Sequence, residues 1–365
     1  MLKQFYDGKR VFVTGHTGFK GAWLCHWLKM LGAKVSGYAL EPPTKPSLFE
    51  QLGLANRMEH QLADVRDAGI INRTVCETRP DFVFHLAAQS LVRTSYAKPL
   101  ETYETNVMGT ANLLEALRGA DWPCAVVIVT SDKCYQNREW HYAYREEDAL
   151  GGHDPYSSSK AAAELVAAGY RSSFFCKHPV RVATARAGNV IGGGDWAVDR
   201  IVPDCIRALQ QNEVIKVRNP RATRPWQHVL EPLGAYLWLG AQLANPASES
   251  AGLATGFNFG PGLEANRPVS ELVETILKVW PGRWQDTSAV GALHEAQKLH
   301  LAIDKANALL NWFPAWEFPV AVARTVGWYK SFLQGTTAAD QLCSEEILAY
   351  TKRASERRIR WAAEN

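Results

Sequence analysis

Through the first half of the chain, short runs of apolar and β-branched residues alternate with longer stretches of helical periodicity. That rhythm predicts a parallel sheet with helices on both faces, because parallel neighbours require a crossover between them. Residues 9–14 read as the first strand, and 19–31 as an amphipathic helix closed by Gly32. Further strands are predicted at 34–38, 57–62, 81–85, 125–130 and 180–186. A helix opens after Asp64-Val65-Arg66-Asp67 and runs to residue 78, and two long helices are predicted at 100–117 and 157–175.

Near residue 190 the rhythm breaks. Nine of the thirteen tryptophans lie beyond this point, among Pro- and Gly-bearing loops and shorter helices. They are consistent either with a region that embraces a bulky polar ligand or with a second core. The expected organisation is an α/β, doubly wound, Rossmann-type parallel sheet in residues 1–189, with a smaller mixed α/β ligand-binding C-terminal domain. A helical segment around 229–240 returns to the first domain within 222–258. Residues 190–221 and 259–340 form the ligand-binding region, and 341–365 a charged helix in solvent.

Composition narrows the function classes. A 47% apolar content is ordinary for a globular chain, and 40 basic against 37 acidic residues leave a formal charge of +3. That balance gives no support to a nucleic-acid or membrane-surface role. The seven cysteines lack paired spacing and read as reduced thiols. The absence of an apolar leader or a spanning-length run points to a cytoplasmic protein.

Gly15, Gly18 and Gly21 follow the first strand directly and open a helix. Glycines at such a turn permit close backbone approach of a pyrophosphate, and the helix N-terminus faces the anion. His16, Phe19 and Lys20 share this loop, with His16 and Lys20 as candidate phosphate contacts. The second strand should end in an acid for a ribose hydroxyl, but Ala39 stands there and no nearby arginine awaits a 2′-phosphate. NAD is therefore the expected cofactor rather than NADP.

Tyr156 and Lys160 are four apart and share one helical face. A phenol with an ordinary pKa near 10 needs positive charge to act as a base at neutral pH. Lys160 and a nicotinamide cation are the expected sources, and lowering the pKa by about 3 units corresponds to roughly 4 kcal/mol. Ser131, Asp132 and Lys133 follow the fifth strand and add an acid and an amine that alcohol oxidation does not need. His85 reads as a packed core histidine. His141, His153 and His228 have no metal-ligand spacing, so no metal is expected.

With these motifs the chain resembles the extended short-chain dehydrogenase/reductase family. The matching pieces are Thr14-Gly15-His16-Thr17-Gly18-Phe19-Lys20-Gly21, Asp64-Val65, Leu86-Ala87-Ala88-Gln89, Asn106, Tyr156-x-x-x-Lys160 and Gly188-Asn189-Val190-Ile191-Gly192. The resemblance implies that Asp64 and Val65 hold the adenine and that Leu86, Ala87, Ala88, Gln89 and Asn106 support the cofactor. It also implies that Asn189 and Arg224 face a substrate diphosphate, with Arg93, Ser95 and Arg200 as further substrate contacts. Ser131-Asp132-Lys133 resembles the CDP-linked branch of the hexose 4,6-dehydratases, where lysine replaces glutamate. The implied chemistry is oxidation at C4, loss of water across C5–C6 with Lys133 as base and Asp132 as acid, and reduction at C6. CDP-glucose is the implied substrate, deoxysugar synthesis for surface polysaccharide the implied setting, and a homodimer or dimer of dimers the implied assembly. A sugar-nucleotide 4-epimerase, a dehydratase for another nucleotide, and a silent dinucleotide-sensing module are the competing readings.

The missing ribose acid removes one hydrogen bond, worth about 1 kcal/mol. NAD is expected to bind more weakly than a low-nanomolar dissociation constant, measured by calorimetry on cofactor-stripped protein; a value in that range would contradict the reading.

Overall fold

A computed structural model describes residues 1–245, 250–288 and 298–363. Seven strands form one sheet: β1 (Arg10–Thr14), β2 (Lys34–Ala39), β3 (Glu59–Leu62), β4 (Phe82–His85), β5 (Cys124–Val129), β6 (Val180–Ala187) and β7 (Gly256–Phe259). Their spatial order is β7-β6-β5-β4-β1-β2-β3, with every neighbouring pair parallel. β4 and β5 are buried at every position because helices cover both faces, which explains why they read as unbroken apolar runs. β3, at the edge, is the polar sequence Glu-His-Gln-Leu and mostly exposed.

The order reverses between β1 and β4. Connections leaving these two strands diverge there and open a crevice at their carboxyl ends, where ligands bind in open α/β sheets. Asp67 caps the helix Ala68–Thr78 by accepting the Ile70 N–H at 2.9 Å, and Asp154 caps the helix Pro155–Tyr170 by accepting from Ser157 at 2.9 Å. The two long predicted helices differ in detail from a regular α-helix. Glu104–Met108 and Arg171–Phe175 are π turns, the first joining helices Pro99–Tyr103 and Gly109–Arg118.

The second half builds onto the sheet and over its carboxyl end. The helix Leu230–Ala244 is buried along nearly its whole length and packs against β5 and β6, while β7 extends the sheet beyond β6. Short pairings complete the roof: Val190–Ile191 with Gln227–His228, Thr223–Pro225 with Asn266–Pro268, and Ile215–Val217 with Trp284–Asp286. Most of the late tryptophans serve a core: Trp238, Trp312, Trp328 and Trp361 are buried, and only Trp196 and Trp226 line the crevice.

The C-terminal helix Ala339–Glu356 corrects the expectation of a solvated tail. Lys352, Arg353, Arg357, Arg358 and Arg360 are exposed, but Leu342, Cys343, Ile347, Tyr350 and Ala354 face the core. The helix is pinned through Glu231, whose buried carboxylate accepts the Tyr350 hydroxyl at 2.8 Å and the N–H groups of Ala315 and Trp316. Burial raises the Glu231 pKa to about 7 against these bonds.

Candidate active site

The crevice is a cleft of about 720 Å³ that runs from the carboxyl ends of β1 and β2, past β5, to the strand Ile215–Val217. At its first end backbone crowding explains the glycines. Gly15 has φ +73°, and a Cβ there would lie 2.7 Å from the Ala87 nitrogen; one on Gly21 would lie 2.1 Å from the Gly15 oxygen. A Cβ on Gly18 would meet only the Gly15 oxygen, at 3.4 Å, so that residue leaves its open side to the cleft. Gly18 is also the N-cap of the helix Phe19–Met30 and supplies no side-chain cap, leaving first-turn N–H groups for an anion. Asp64, Val65, Leu86, Ala87 and Ala88 line the same end. These residues fit a dinucleotide with its pyrophosphate over Gly18.

Ser131, Asp132 and Lys133 leave β5 in a 3₁₀ turn, Asp132–Cys134, and all three meet the cleft. The Ser131 hydroxyl accepts the Lys133 N–H at 3.2 Å and donates to Asp132 Oδ1 at 3.0 Å. Asp132 Oδ2 lies over Gly188, where a Cβ would come within 2.6 Å. Burial raises the Asp132 pKa, opposed by Lys133, the Ser131 hydrogen bond, Arg224 and Lys20. Lys133 is half-buried, and no ion pair with Asp132 or Glu146 is formed among the described residues.

Tyr156 and Lys160 face the same cleft from the helix Pro155–Tyr170. One expectation changes here. The Lys160 ammonium donates to the Val129 carbonyl at 3.3 Å, and burial lowers its pKa to about 8. Burial pushes the Tyr156 phenol up to about 12; a hydrogen bond with Ser131 and the Arg200 charge pull it down, while Asp132 raises it. Lys160 is not among the main groups that move the phenol.

A buried pair ties these pieces together. Glu164, one turn beyond Lys160, accepts Thr130 Oγ1 at 2.5 Å, Thr184 Oγ1 at 2.7 Å and Arg186 Nη2 at 2.8 Å. Arg186 also donates to the Tyr135 hydroxyl at 2.7 Å and the Glu146 carbonyl at 3.0 Å. Burial alone would raise Glu164, but Arg186 and the two threonines hold its carboxyl below the ordinary range. Neither residue was singled out from the sequence. Tyr156, Lys160 and Glu164 at i, i+4 and i+8 carry the signal for Glu164, whereas Arg186 sits in a strand and gives none.

Toward the far end, Arg93, Asn189, Arg200 and Arg224 line the cleft. Arg93 approaches Asp199 at 3.6 Å, and Arg200 is aimed by Asp195 at 2.9 Å. Lys20 also reaches this region rather than the glycine loop alone: its ammonium lies 6.0 Å from the Tyr236 ring centroid, and burial and Arg200 lower its pKa to about 8. The glycine run 192–194 has a packing cause. Cβ atoms would meet Val229 at 2.8 Å from Gly192, Trp328 at 2.0 Å from Gly193 and Leu48 at 2.6 Å from Gly194. Lys216, Arg218 and Asn219 complete the far wall and carried no motif.

Four expected contacts lie outside the cleft lining. His16 is buried beneath Gly37 against Phe49 and His60, and burial lowers its pKa to about 4. It therefore does not serve phosphate from this position. Ser95 is buried and donates to the Val92 carbonyl at 2.6 Å. Gln89 and Asn106 act behind the wall: Asn106 accepts the Gln89 N–H at 2.9 Å and donates to the Gln89 carbonyl at 3.0 Å and Ser159 Oγ at 2.8 Å. The π turn that carries Asn106 thus joins the loop after β4 to the Tyr156 helix. His85 is a core residue as expected, bonded to Thr14 and Thr110.

Residues 12–325 match the family model described as GDP-mannose 4,6 dehydratase. A CDP-glucose 4,6-dehydratase of Salmonella typhimurium is 48% identical over 340 residues, covering 91% of this chain and 94% of that enzyme. Among solved structures, the epimerase Mth375 of Methanothermobacter thermautotrophicus superposes with a TM-score of 0.76 at 23% identity, over 92% of this chain and 96% of that one. DesIV, a dTDP-glucose 4,6-dehydratase of Streptomyces venezuelae with NAD and TYD bound, gives 0.74 at 24% identity over 90% and 99%.

Removing one partner of a buried ion pair costs about 3–5 kcal/mol, and Glu164→Gln is expected to lose stability on that scale at neutral pH. Because the folded Glu164 pKa is depressed, its stabilisation is complete above the ordinary carboxylate value and vanishes as pH falls through the folded value. Urea unfolding of both proteins should show the gap narrowing below about pH 4; a gap independent of pH would assign the loss to shape rather than charge.

Proposed function

The chain belongs to the GDP-mannose 4,6-dehydratase family of nucleotide-sugar enzymes, and we propose that it converts CDP-D-glucose to CDP-4-dehydro-6-deoxy-D-glucose and water with NAD as cofactor. The observation that carries this reading is the turn after β5, where a buried carboxyl and a half-buried amine line the same cleft as the Tyr156 phenol. An epimerase has no use for either group. The CDP assignment is supported by the Salmonella enzyme and the Asp132-Lys133 sequence it resembles.

NAD, which the Gly15–Gly18 loop with Asp64, Val65, Leu86, Ala87 and Ala88 would hold, would supply the reversible hydride chemistry that links oxidation at C4 to reduction at C6. Tyr156 accepts the C4 hydroxyl proton, helped by Ser131, Arg200 and any further positive charge beside the ring. The ketone so formed acidifies the C5 hydrogen, which Lys133 removes. Asp132, kept protonated by burial, gives its proton to the departing C6 hydroxyl. Arg200, Arg224 and Lys20 form the positive wall that receives the substrate diphosphate.

A homodimer belongs to the same proposal. Leu100, Met108, Leu165 and Phe174 are exposed on the helical segments 99–118 and 155–175, a face suited to a four-helix contact between two copies. A cytoplasmic setting, and a role in 3,6-dideoxyhexose synthesis for O-antigen lipopolysaccharide, complete it; the cysteines, all free, suit a reducing compartment.

Incubation with CDP-, dTDP-, UDP- and GDP-glucose plus NAD should give a keto sugar fastest from CDP-glucose, with solvent deuterium at C5. An inverted sugar without water loss would replace the reading with an epimerase. Lys133→Ala should still oxidise C4 in a single turnover while elimination falls about 100-fold or more; equal loss of both steps would remove Lys133 from the C5 role. Light scattering should give at least twice the 40.6 kDa chain mass, and a monomer would exclude the four-helix contact.

A further inference from the structure

A nucleotide sugar carries its base at the end away from the hexose, with the diphosphate between them. On the reading above, Tyr156 and Asp132 mark the hexose position, and Arg200 and Arg224 stand in the cleft as cations for the diphosphate. The base then extends to the remaining end, formed by the strand Ile215–Val217 and the residues around it. Two charged side chains meet there. Arg218 Nη1 donates to Asp199 Oδ1 at 2.7 Å, and both residues line the cleft with their side chains 47% and 50% exposed, open to a ligand. Neither has a part in the chemistry at C4, C5 and C6.

The segment that carries Asp199 is held from behind. The Trp196 indole N–H donates to Gln51 at 3.0 Å, and the Ala197 N–H donates to Asp195 at 3.2 Å. Arg207, itself paired with Asp204, donates to the Trp196 and Ala197 carbonyls, each at 3.2 Å. The chain then turns through the left-handed region at Asp199, with φ +63°. Arg93, on the helix Val92–Ala97, approaches Asp199 Oδ1 at 3.6 Å. Both arginine contacts fall on Oδ1, and among the described residues no hydrogen bond engages Oδ2. A carboxylate only accepts, whereas a guanidinium has five N–H groups to donate. The pair therefore offers the cleft a free acceptor beside free donors, in a fixed order.

Resting on the nucleotide-sugar reading above, we infer that Asp199 and Arg218 contact the base, and that Asp199 selects cytosine over uracil and thymine. Cytosine shows a 4-amino donor beside the N3 acceptor. Uracil and thymine show the O4 acceptor beside an N3–H donor. The Asp199 carboxylate accepts from the 4-amino group of cytosine while an Arg218 N–H donates to N3. With uracil both contacts reverse, so that the carboxylate faces O4 and the guanidinium faces N3–H. A carboxylate has no proton to offer O4, and the mismatch is repulsive rather than merely unfilled. Adenine shows the same order of groups as cytosine on a larger ring system, which makes the pyrimidines the informative comparison. A two-point contact of this kind separates bases by roughly 5- to 150-fold. The half-exposed position places Asp199 toward the lower part of that range, because water screens the charges.

The test measures kcat/KM for CDP-glucose and for UDP-glucose, each with NAD, in the unaltered enzyme and in Asp199→Asn. Asparagine keeps the shape of the side chain and can turn its amide N–H toward O4. The CDP-to-UDP ratio of kcat/KM should therefore fall about 10-fold, with UDP-glucose gaining in absolute terms and the loss for CDP-glucose falling on KM more than on kcat. If Asp199 only held Arg93 and Arg218 for the phosphates, both substrates would weaken together. An unmoved ratio would overturn the base contact. A second readout needs no turnover: calorimetry on the NAD-loaded protein should show CMP bound more tightly than UMP, and that preference lost in Asp199→Asn. Equal binding of CMP and UMP by the unaltered protein would likewise overturn it. Failure to form a keto sugar from any nucleotide-glucose, with the CMP preference and its loss intact, would defeat the dehydration reading and leave the base contact standing.

Discussion

Glu164 carries a buried negative charge that Arg186 pairs directly, and the two threonine hydroxyls complete its hydrogen bonding. An ionised carboxylate in such surroundings is tolerable only while every partner keeps its place. The partners belong to separate elements: Thr130 ends β5 beside Ser131, Thr184 and Arg186 lie in β6, and Glu164 itself lies on the helix of Tyr156 and Lys160. The same arginine reaches Tyr135, just beyond the catalytic turn. Satisfying one charge therefore fixes the distance between the phenol-bearing helix and the acid- and amine-bearing turn. A buried pair contributes little net stability compared with apolar packing; its value here is registry.

Steric closeness sets the remaining geometry. The cofactor end depends on Gly15 and Gly21, whose missing Cβ atoms let the first loop, the loop after β4 and the first helix touch. Gly188 does the same for Asp132. Asn106, carried by a π turn, then bonds the loop after β4 to the catalytic helix. Polar bonds behind the wall hold the positions that the wall residues use.

The cleft also concentrates positive charge. Lys20, Lys160, Arg200 and Arg224 line a volume whose buried acids are Asp132 and Asp195, the second paired with Arg200. Burial lowers the pKa of both lysines, and for Lys20 the Arg200 and Lys160 charges add to it. Burial raises the Asp132 pKa, and Lys133, the Ser131 hydrogen bond, Arg224 and Lys20 oppose it.

The alternation of apolar runs with helical periods was enough to determine the parallel sheet, since strands covered on both faces must be apolar throughout and joined by crossovers. The glycine spacing after β1 and the four-residue interval from Tyr156 to Lys160 likewise determined the dinucleotide end and one catalytic face, because local backbone geometry decides both. What the chain order could not determine was which polar residues become buried against partners far away. His16, in the glycine loop by sequence, is turned under Gly37; Lys160 is committed to a carbonyl; the tryptophans fill a core more than a ligand wall. Glu164 and Arg186, and Gly188 and Asp132, acquire their roles from strand order and helix packing. Those contacts join residues tens of positions apart, and only the folded chain brings them together.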